Sequence, residues 1–594
     1  MMLRARRLVY VFSAILMVAL GGLVLRLVWL QVAGADDALE RRDRLADGAS
    51  LDLARRGALR DRHGQIVADS VEQVRVTAYA RDITHDGRLA RTQEQVARSV
   101  STISQRLAPL LGLPAAAIAP QLLRTGDDGR PQQGYVGEPV TDASAIDALM
   151  GLRDGDLRRI GLEPRWERRY PAGSAAGNLL GVVNFEGHGA FGLELGLEKV
   201  LACGADGTYP HQRLGSFRVA TAEQEPRPSL AGYDVELTID SVVQRVLAEE
   251  LAAGCTRLKA VGGSAVMLDV ATGDILGMAS VPGLDPTDGR TWTDAAQIFR
   301  PAQTVYSPGS TFKPVMLATA LDLGLVEPGA KIDCSAKRGV FGKRVVRDTH
   351  PIEGGSATLE DIIVHSSNIG MSNILTKLVP EGSEKDTERM RPVYDILCRL
   401  GVPQTTGVPI AGESAGLLTP LSQWTRNYTL VSVSFGHEIS VTPLQMAAIT
   451  ATLAEGQWRR PRLVRAFLDE GGRRIEVPQE AAVRVFLPET TDLIRGYMQA
   501  VVDKGQAKAA GVKGVAVAGK TGTTVHDPIP GRKEAKSGET HSFIALVPAD
   551  APQVALVVAI EQPQGFRFAA QTVAPVTGAI LNRVLPYLGI AEAR

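Results

Sequence analysis

The chain has 594 residues, which is room for two to four domains at about 150 residues each. Its composition, 45% hydrophobic and 22% charged, excludes a mostly disordered chain, and the balance of 65 Lys and Arg against 65 Asp and Glu leaves no overall basic field for nucleic acid. The four cysteines form no C-x-x-C pair, which excludes the zinc-ribbon and thioredoxin classes.

The amino terminus has the features of a membrane anchor. Three arginines among the first seven residues precede the apolar run Leu8–Leu25. A helix continued to Leu30 would be about 34 Å long at about 1.5 Å per residue, which is enough to cross a bilayer core. We predict a cytoplasmic tail at 1–7, a single transmembrane helix at 8–31 and an extracytoplasmic remainder. The alternative is a cleaved signal peptide ending at Ala33-Gly34-Ala35, although the apolar core of such peptides is usually about 7–15 residues long.

The remainder of the chain mixes strand-like and helix-like segments and is predicted to be α+β. A Gly- and Pro-rich stretch at Gly204–Gly232 indicates a linker, so we expect one domain within 36–231 and a second within 232–594. In the second domain, helices are expected to pack around a central antiparallel sheet. Its strands are predicted at Ala265–Val270, Ile275–Val281, Val515–Ala518, Ser542–Val547 and Val554–Ile560.

The first candidate motif is Ser-Thr-Phe-Lys at residues 310–313. The apolar run Val315–Leu325 after it predicts a helix that opens near Ser310. Residues three apart share a helix face, so the Lys313 amine can reach the Ser310 hydroxyl. A serine hydroxyl needs such a base to become a nucleophile. On its own this motif is common by chance and is more typical of a solvated helix start.

The second motif, Ser-Ser-Asn at residues 366–368, lies between two helix-like stretches, where any polar loop has similar residues. In a catalytic reading, Ser366 relays a proton and Asn368 holds a substrate amide.

The third motif comprises Lys520, Thr521, Gly522 and Thr523 at a predicted strand end. Its hydroxyls and Lys charge suit a carboxylate. Because glycine weakens a strand, we expect the missing Gly522 side chain to leave room for a substrate strand. The alternatives are a turn residue or an ordinary edge-strand end.

The order and spacing of the three motifs are specific, although each alone is weak. Ser-x-x-Lys is followed after about 55 residues by Ser-x-Asn and after about 150 more by Lys-Thr-Gly, the motif set of penicilloyl serine transferases. Over nearly its whole length the sequence resembles a class B penicillin-binding protein, a peptidoglycan D,D-transpeptidase. It is most similar to the septal, cell-division branch.

Further segments carry this resemblance. Residues 56–64, Gly192–Glu198, Asp269–Leu276 and Ser440–Gln445 are similar to segments of the family. The resemblance implies an elongated pedestal domain within 36–231 and a transpeptidase domain at 232–594. The sequence departs from the family at residues 299–302, which read Phe-Arg-Pro-Ala where the family usually has Asn-Arg-Ala. We expect His526 and His541 in a loop after the third motif.

The resemblance also implies a mechanism. Lys313 would deprotonate Ser310, which attacks the D-Ala-D-Ala end of a stem peptide. Backbone N–H groups of Ser310 and Thr523 would form the oxyanion hole, and Ser366 and Lys520 would pass a proton to the departing D-Ala. No metal or organic cofactor is implied.

The partners that the resemblance implies are peptidoglycan stem peptides, β-lactams as covalent inhibitors, a SEDS-family glycosyltransferase and membrane proteins of the division complex. No nucleic acid partner is expected, and the chain is expected to be anchored in the inner membrane.

The alternative functions are lateral-wall synthesis, a membrane-anchored serine β-lactamase, a β-lactam sensor and a division scaffold with an inactive site. The long segment between anchor and motifs disfavours the β-lactamase, and the short cytoplasmic tail disfavours the sensor.

Overall fold

In a computed structural model, the structure describes residues 55–87, 89–152, 154–202, 232–336, 338–526 and 538–590. The predicted tail at 1–7 and anchor at 8–31 lie outside the described residues, as does the predicted linker up to residue 231. Among the helices within these ranges, none is both long and apolar enough to cross a membrane.

The described chain divides into two compact units, one of which is residues 72–166. In this unit the end of strand Ile66–Tyr79 pairs antiparallel with Gln133–Val140. Apolar side chains of both strands and of the accompanying helices form a separate core that includes Val74, Ile103 and Leu107. The helices are Ala80–Thr84, Gln93–Leu111, Ala115–Leu122 and Ala143–Gly151, and the short strands His85–Asp86 and Leu89–Ala90 form a hairpin.

The second unit comprises residues 55–71 and the chain from 167 onward. A buried ion cluster lies in its first part: Glu194 is fully buried and binds Arg56 at 2.6 Å and Arg168 at 2.7 Å. The ion pair of Arg56 with Glu194 therefore joins two of the segments that carry the family resemblance, residues 56–64 and Gly192–Glu198.

The paired strands of this part are Leu59–Arg60, Asp234–Leu237, Val464–Leu468 and Arg474–Glu476, and its helices are Gly177–Leu180, Gly192–Gly196 and Glu198–Leu201.

Five antiparallel strands form the central sheet of the second unit. They are β1 (Gly262–Asp269), β2 (Ile275–Val281), β3 (Ala518–His526), β4 (Gly538–Val547) and β5 (Val554–Glu561), in the spatial order β2-β1-β5-β4-β3. The β1–β2 hairpin turns where Asp269 accepts hydrogen bonds from the backbone and hydroxyl of Thr272, both at 2.8 Å, and Gly273 takes a positive φ. Strand β3 lies at one edge of the sheet and carries the third motif.

Helices surround this sheet, in keeping with the predicted mixture of α and β structure. They are α1 (Ser241–Leu258), α2 (Lys313–Asp322), α3 (Leu359–Val364), α4 (Asn368–Leu375), α5 (Pro443–Glu455), α6 (Pro488–Asp503) and α7 (Ala569–Tyr587). Helices α1 and α7 pack against each other and against the sheet, α5 packs on β1 and β5, and α6 packs on β3. Smaller elements include helix Thr387–Arg399 and the hairpin of Gly339–Phe341 with Arg344–Val346.

Two details of the predicted third-motif region differ in the structure. The strand predicted at Val515–Ala518 begins only at Ala518, so residues 520–523 lie within β3 and not at its end. Pairing with β4, in which Gly522 lies opposite Ser542, continues the strand through the polar residues. His541 was expected in a loop but lies in β4, fully buried, with its ring hydrogen-bonded to Thr572 at 2.8 Å; His526 is the last residue of β3.

Candidate functional site

Ser310 and Lys313 meet at the start of α2. A 3₁₀ turn, Gly309–Phe312, runs directly into this helix. The turn places Lys313 Nζ 3.0 Å from Ser310 Oγ, as the three-residue spacing predicts. The Lys313 side chain is completely buried, while Ser310 lines a cleft.

The turn that carries Ser310 is held from two sides. The Gly309 N–H donates to the Gly436 carbonyl at 3.0 Å. On the other side, the Thr524 hydroxyl of β3 donates to the Ser307 carbonyl at 2.7 Å. The Ser310 turn is therefore fixed both to the edge strand and to the loop that precedes α5.

Ser366 completes the surroundings of the Lys313 amine. Lys313 Nζ lies 2.6 Å from the Ser366 carbonyl and 3.0 Å from its hydroxyl. Ser366 has a φ of 58°, which is unusual for a residue other than glycine. In this conformation its carbonyl and its hydroxyl face the same amine, so local strain is part of the site. A neutral amine here can donate to the two Ser366 oxygens and use its lone pair to accept the Ser310 proton.

Asn368 is oriented by Asp348, a residue that the sequence analysis missed. Asp348 Oδ1 accepts the Asn368 N–H at 2.5 Å and the Ile369 N–H at 3.0 Å, and Oδ2 accepts the Ser367 hydroxyl at 2.6 Å. The first turn of α4 is thereby capped by a carboxylate. Asn368 Nδ2 donates to the Arg347 carbonyl at 2.9 Å. Asp348 lies about 20 residues before the motif, within no local pattern that would have identified it.

Lys520 brings a second buried amine to the cleft. Its side chain is 1% exposed, and Nζ donates to the Thr521 carbonyl at 3.1 Å. Burial lowers the pKa of Lys520 to about 7. Burial also lowers the pKa of Lys313 well below its ordinary value; the Lys520 charge lowers it further, and Asp348 opposes both effects. A lysine in this state can act as a base near neutral pH.

The motifs share one cleft of about 330 Å³. Seven of the eight predicted site residues line it, and the eighth, Lys313, lies buried behind Ser310. The lining residues from the motifs are Ser310, Ser366, Asn368, Lys520, Thr521, Gly522 and Thr523. The lining also includes His437, Glu539 and Phe568, none of which belongs to a motif.

The role expected for Gly522 needs correction. A Cβ at this position would lie 2.9 Å from the Pro308 carbonyl oxygen and 2.9 Å from the Thr311 methyl, so it would point at the Ser310 turn and not into space for a substrate. Its φ is not positive, which also rules out the turn alternative. Gly522 lets the edge strand approach the turn that carries Ser310.

Two family models match most of the chain. A family model described as penicillin binding protein transpeptidase domain matches residues 263–585, and one described as penicillin-binding protein dimerisation domain matches residues 51–237. The chain is 28% identical over 584 residues to peptidoglycan D,D-transpeptidase FtsI of Escherichia coli, covering 97% of this chain and 91% of the relative. It is 30% identical over 436 residues to penicillin-binding protein PbpB of Mycolicibacterium smegmatis, where the match covers 71% of this chain and 65% of the relative.

Solved structures share the fold at lower identity. A peptidoglycan synthetase from Bifidobacterium adolescentis superimposes with a TM-score of 0.67 at 24% identity, covering 91% of this chain and 96% of the other. Penicillin binding protein 3 from Mycobacterium tuberculosis, complexed with aztreonam, gives a TM-score of 0.64 at 23% identity, covering 91% and 98%. These similarities concern the fold.

Proposed function

Because the chain belongs to the penicillin-binding protein transpeptidase family, we propose that it is a peptidoglycan D,D-transpeptidase that crosslinks stem peptides during septal wall synthesis. The observation that carries the proposal is the buried Lys313 amine, which contacts both Ser310 Oγ and Ser366 Oγ at 3.0 Å. This arrangement supplies a base for Ser310 and a route for its proton.

In the first half-reaction the Lys313 lone pair takes the Ser310 proton. Ser310 Oγ then attacks the carbonyl carbon of the penultimate D-Ala of the donor stem peptide. Negative charge develops on the carbonyl oxygen, where the N–H groups of Ser310 and Thr523 stabilise it. The proton passes from Lys313 through Ser366 and Lys520 to the amine of the leaving D-Ala as the peptide bond breaks.

Substrate binding is assigned to the edge strand and to α4. The donor peptide adds along β3, the edge of the sheet, by main-chain hydrogen bonds. Its terminal carboxylate lies against the hydroxyls of Thr521 and Thr523 and the Lys520 charge, and Asn368 holds a peptide amide. In the second half-reaction an amine of another stem peptide attacks the Ser310 ester and forms the crosslink.

β-Lactams present a strained amide to the same serine and are therefore expected to acylate Ser310.

We also propose an inner-membrane location through the anchor at 8–31, with a SEDS-family glycosyltransferase and division-complex membrane proteins as partners. N-terminal sequencing of the mature chain tests the anchor, because a mature start at Asp36 would refute it.

A steady-state assay tests the proposed activity. The full chain in detergent is incubated with a thioester donor that mimics acyl-D-Ala-D-Ala and with a D-amino acid as acceptor. We expect an aminolysis product to form and penicillin to block it with one equivalent bound. Rapid multiple turnover of penicillin without aminolysis would instead indicate a β-lactamase.

A further inference from the structure

His437 lies on the loop that holds the Ser310 turn. Its neighbour Gly436 accepts the hydrogen bond from the Gly309 N–H at 3.0 Å, one residue before Ser310. Gly436 has a φ of 80°, and a Cβ there would lie 2.1 Å from the Gly309 carbonyl oxygen, so loop and turn are in direct contact. His437 lines the same cleft as Ser310 and Ser366.

The backbone around His437 is held in an unusual conformation. Glu438, the next residue, has a φ of 59°, a value that side-chain-bearing residues rarely adopt. Strain of this kind persists only where the surrounding structure fixes it, and it is concentrated at functional sites. Here Thr419 donates to Glu438 Oε2 at 3.3 Å, and the His437 N–H donates to the Ser432 carbonyl at 3.0 Å.

The ring of His437 is packed but chemically free. It packs edge-to-face on Phe435 with ring centroids 5.3 Å apart, and no hydrogen bond engages its nitrogens within the described part of the chain. Burial lowers the pKa of His437, as do the charges of Arg344 and Lys313, while Glu438 raises it. Among the described residues these are the charged groups that act on the ring, and their net effect favours a neutral imidazole with an available lone pair.

We propose that His437 is the general base for the acceptor, accepting a proton from the incoming ammonium group of the second stem peptide beside the Ser310 ester. This assignment rests on the proposed function and adds a residue to its second half-reaction. Position 437 lies outside the Ser-x-x-Lys, Ser-x-Asn and Lys-Thr-Gly motifs.

The step balances in atoms and charge. The acceptor R–NH₃⁺ gives one proton to the neutral imidazole and becomes R–NH₂. The amine lone pair attacks the ester carbon, the N–C bond forms, and the bond from that carbon to Ser310 Oγ breaks. The second amine proton passes through Lys313 to Ser310 Oγ, and the imidazolium returns its proton to solvent. Products are the crosslinked amide and the free enzyme.

Partitioning of the acyl-enzyme tests the proposal. The full chain in detergent is acylated with the thioester donor, and the ratio of aminolysis by a D-amino acid to hydrolysis is measured from pH 6 to pH 9. His437→Gln is expected to lower this ratio about a hundredfold at pH 7. In the wild type the ratio of aminolysis to hydrolysis should reach a plateau once the His437 imidazole is neutral. In His437→Gln the ratio should instead rise about tenfold per pH unit, because it follows the fraction of the acceptor present as free amine.

Two further variants separate a chemical role from a structural one. His437→Ala should recover aminolysis on addition of imidazole, and His188→Gln, at an exposed histidine that does not line the cleft, should keep the wild-type ratio and pH profile. An unchanged ratio in His437→Gln, or a loss that shows neither imidazole rescue nor the altered pH profile, would overturn the proposal. Absence of aminolysis in the wild type would instead refute the proposed function itself.

Discussion

The Pro308 carbonyl oxygen lies 2.9 Å from where a Cβ on Gly522 would be, so the edge strand and the Ser310 turn touch backbone to backbone. The Ser542 hydroxyl, at 2.8 Å, closes the same space. The third motif therefore contains glycine because two parts of the site must approach each other. The close approach places the strand that carries Lys520 and Thr523 against the turn that carries Ser310.

This contact predicts that Gly522→Val destabilises the protein and also impairs acylation. A branched side chain must displace the backbone of the turn, at a cost of about 1–3 kcal/mol, so the melting temperature should fall. The control is Gly496→Ala on helix α6, where a Cβ meets nothing within 4 Å and stability should hold or rise. A Gly522→Val protein that melts at or above the wild-type temperature would contradict the close-approach account.

Lys313→Arg should lose penicillin acylation as completely as Lys313→Ala. Arginine keeps a positive charge but does not deprotonate in proteins, so it cannot take the Ser310 proton. We expect both variants to be slower by about a hundredfold to ten-thousandfold. Stopped-flow acylation on protein with a native circular dichroism spectrum is the measurement. An arginine variant that reacts near the wild-type rate would show that charge suffices.

Asp348→Asn should change both the rate and the pH dependence of acylation. The carboxylate caps α4 through the Asn368 and Ile369 N–H groups, and its negative charge raises the Lys313 pKa. Removing that charge lowers the Lys313 pKa further, so neutral lysine appears at lower pH. The acid limb of the acylation profile should therefore move to lower pH, with a stability loss of about 1 kcal/mol. An acid limb that stays in place or moves to higher pH is the contrary result.

Stability should rise with pH above neutrality because of Lys520. Its pKa is about 7 in the folded protein and 10.5 in a free side chain, so the unfolded chain binds more protons between these values. The free energy of unfolding then increases with pH across this window, by up to about 1.4 kcal/mol per pH unit. Lys520→Met should remove this contribution and leave that of Lys313, whose pKa is also lowered. Urea unfolding at pH 7 and pH 9 measures the rise in the free energy of unfolding for the wild type and for Lys520→Met. An equal rise in both proteins would count against a neutral Lys520.

Sequence patterns predicted the parts of this site that depend on local spacing. The pairing of Lys313 with Ser310 follows from helix geometry, and the β1–β2 hairpin follows from its turn residues. Contacts between distant segments could not be read in the same way. Asp348 reaches α4 from a separate loop, and Gly522 meets Pro308 only because β3 and the Ser310 turn pack together.

The position of His541 also could not be predicted from the local sequence. A polar residue near a Gly- and Pro-rich stretch is typical of a loop, yet pairing with β3 and the hydrogen bond to Thr572 on α7 place it inside the sheet. Tertiary pairing outweighed local composition at this position.

Ser310 is the proposed nucleophile, and every step of the proposed reaction passes through it. The decisive measurement is labelling of the full chain with radiolabelled penicillin, followed by proteolysis and mass mapping of the modified peptide. One equivalent of label should be attached to Ser310, and a folded Ser310→Ala variant should carry none. Label on another residue, or undiminished labelling of Ser310→Ala, would contradict the account.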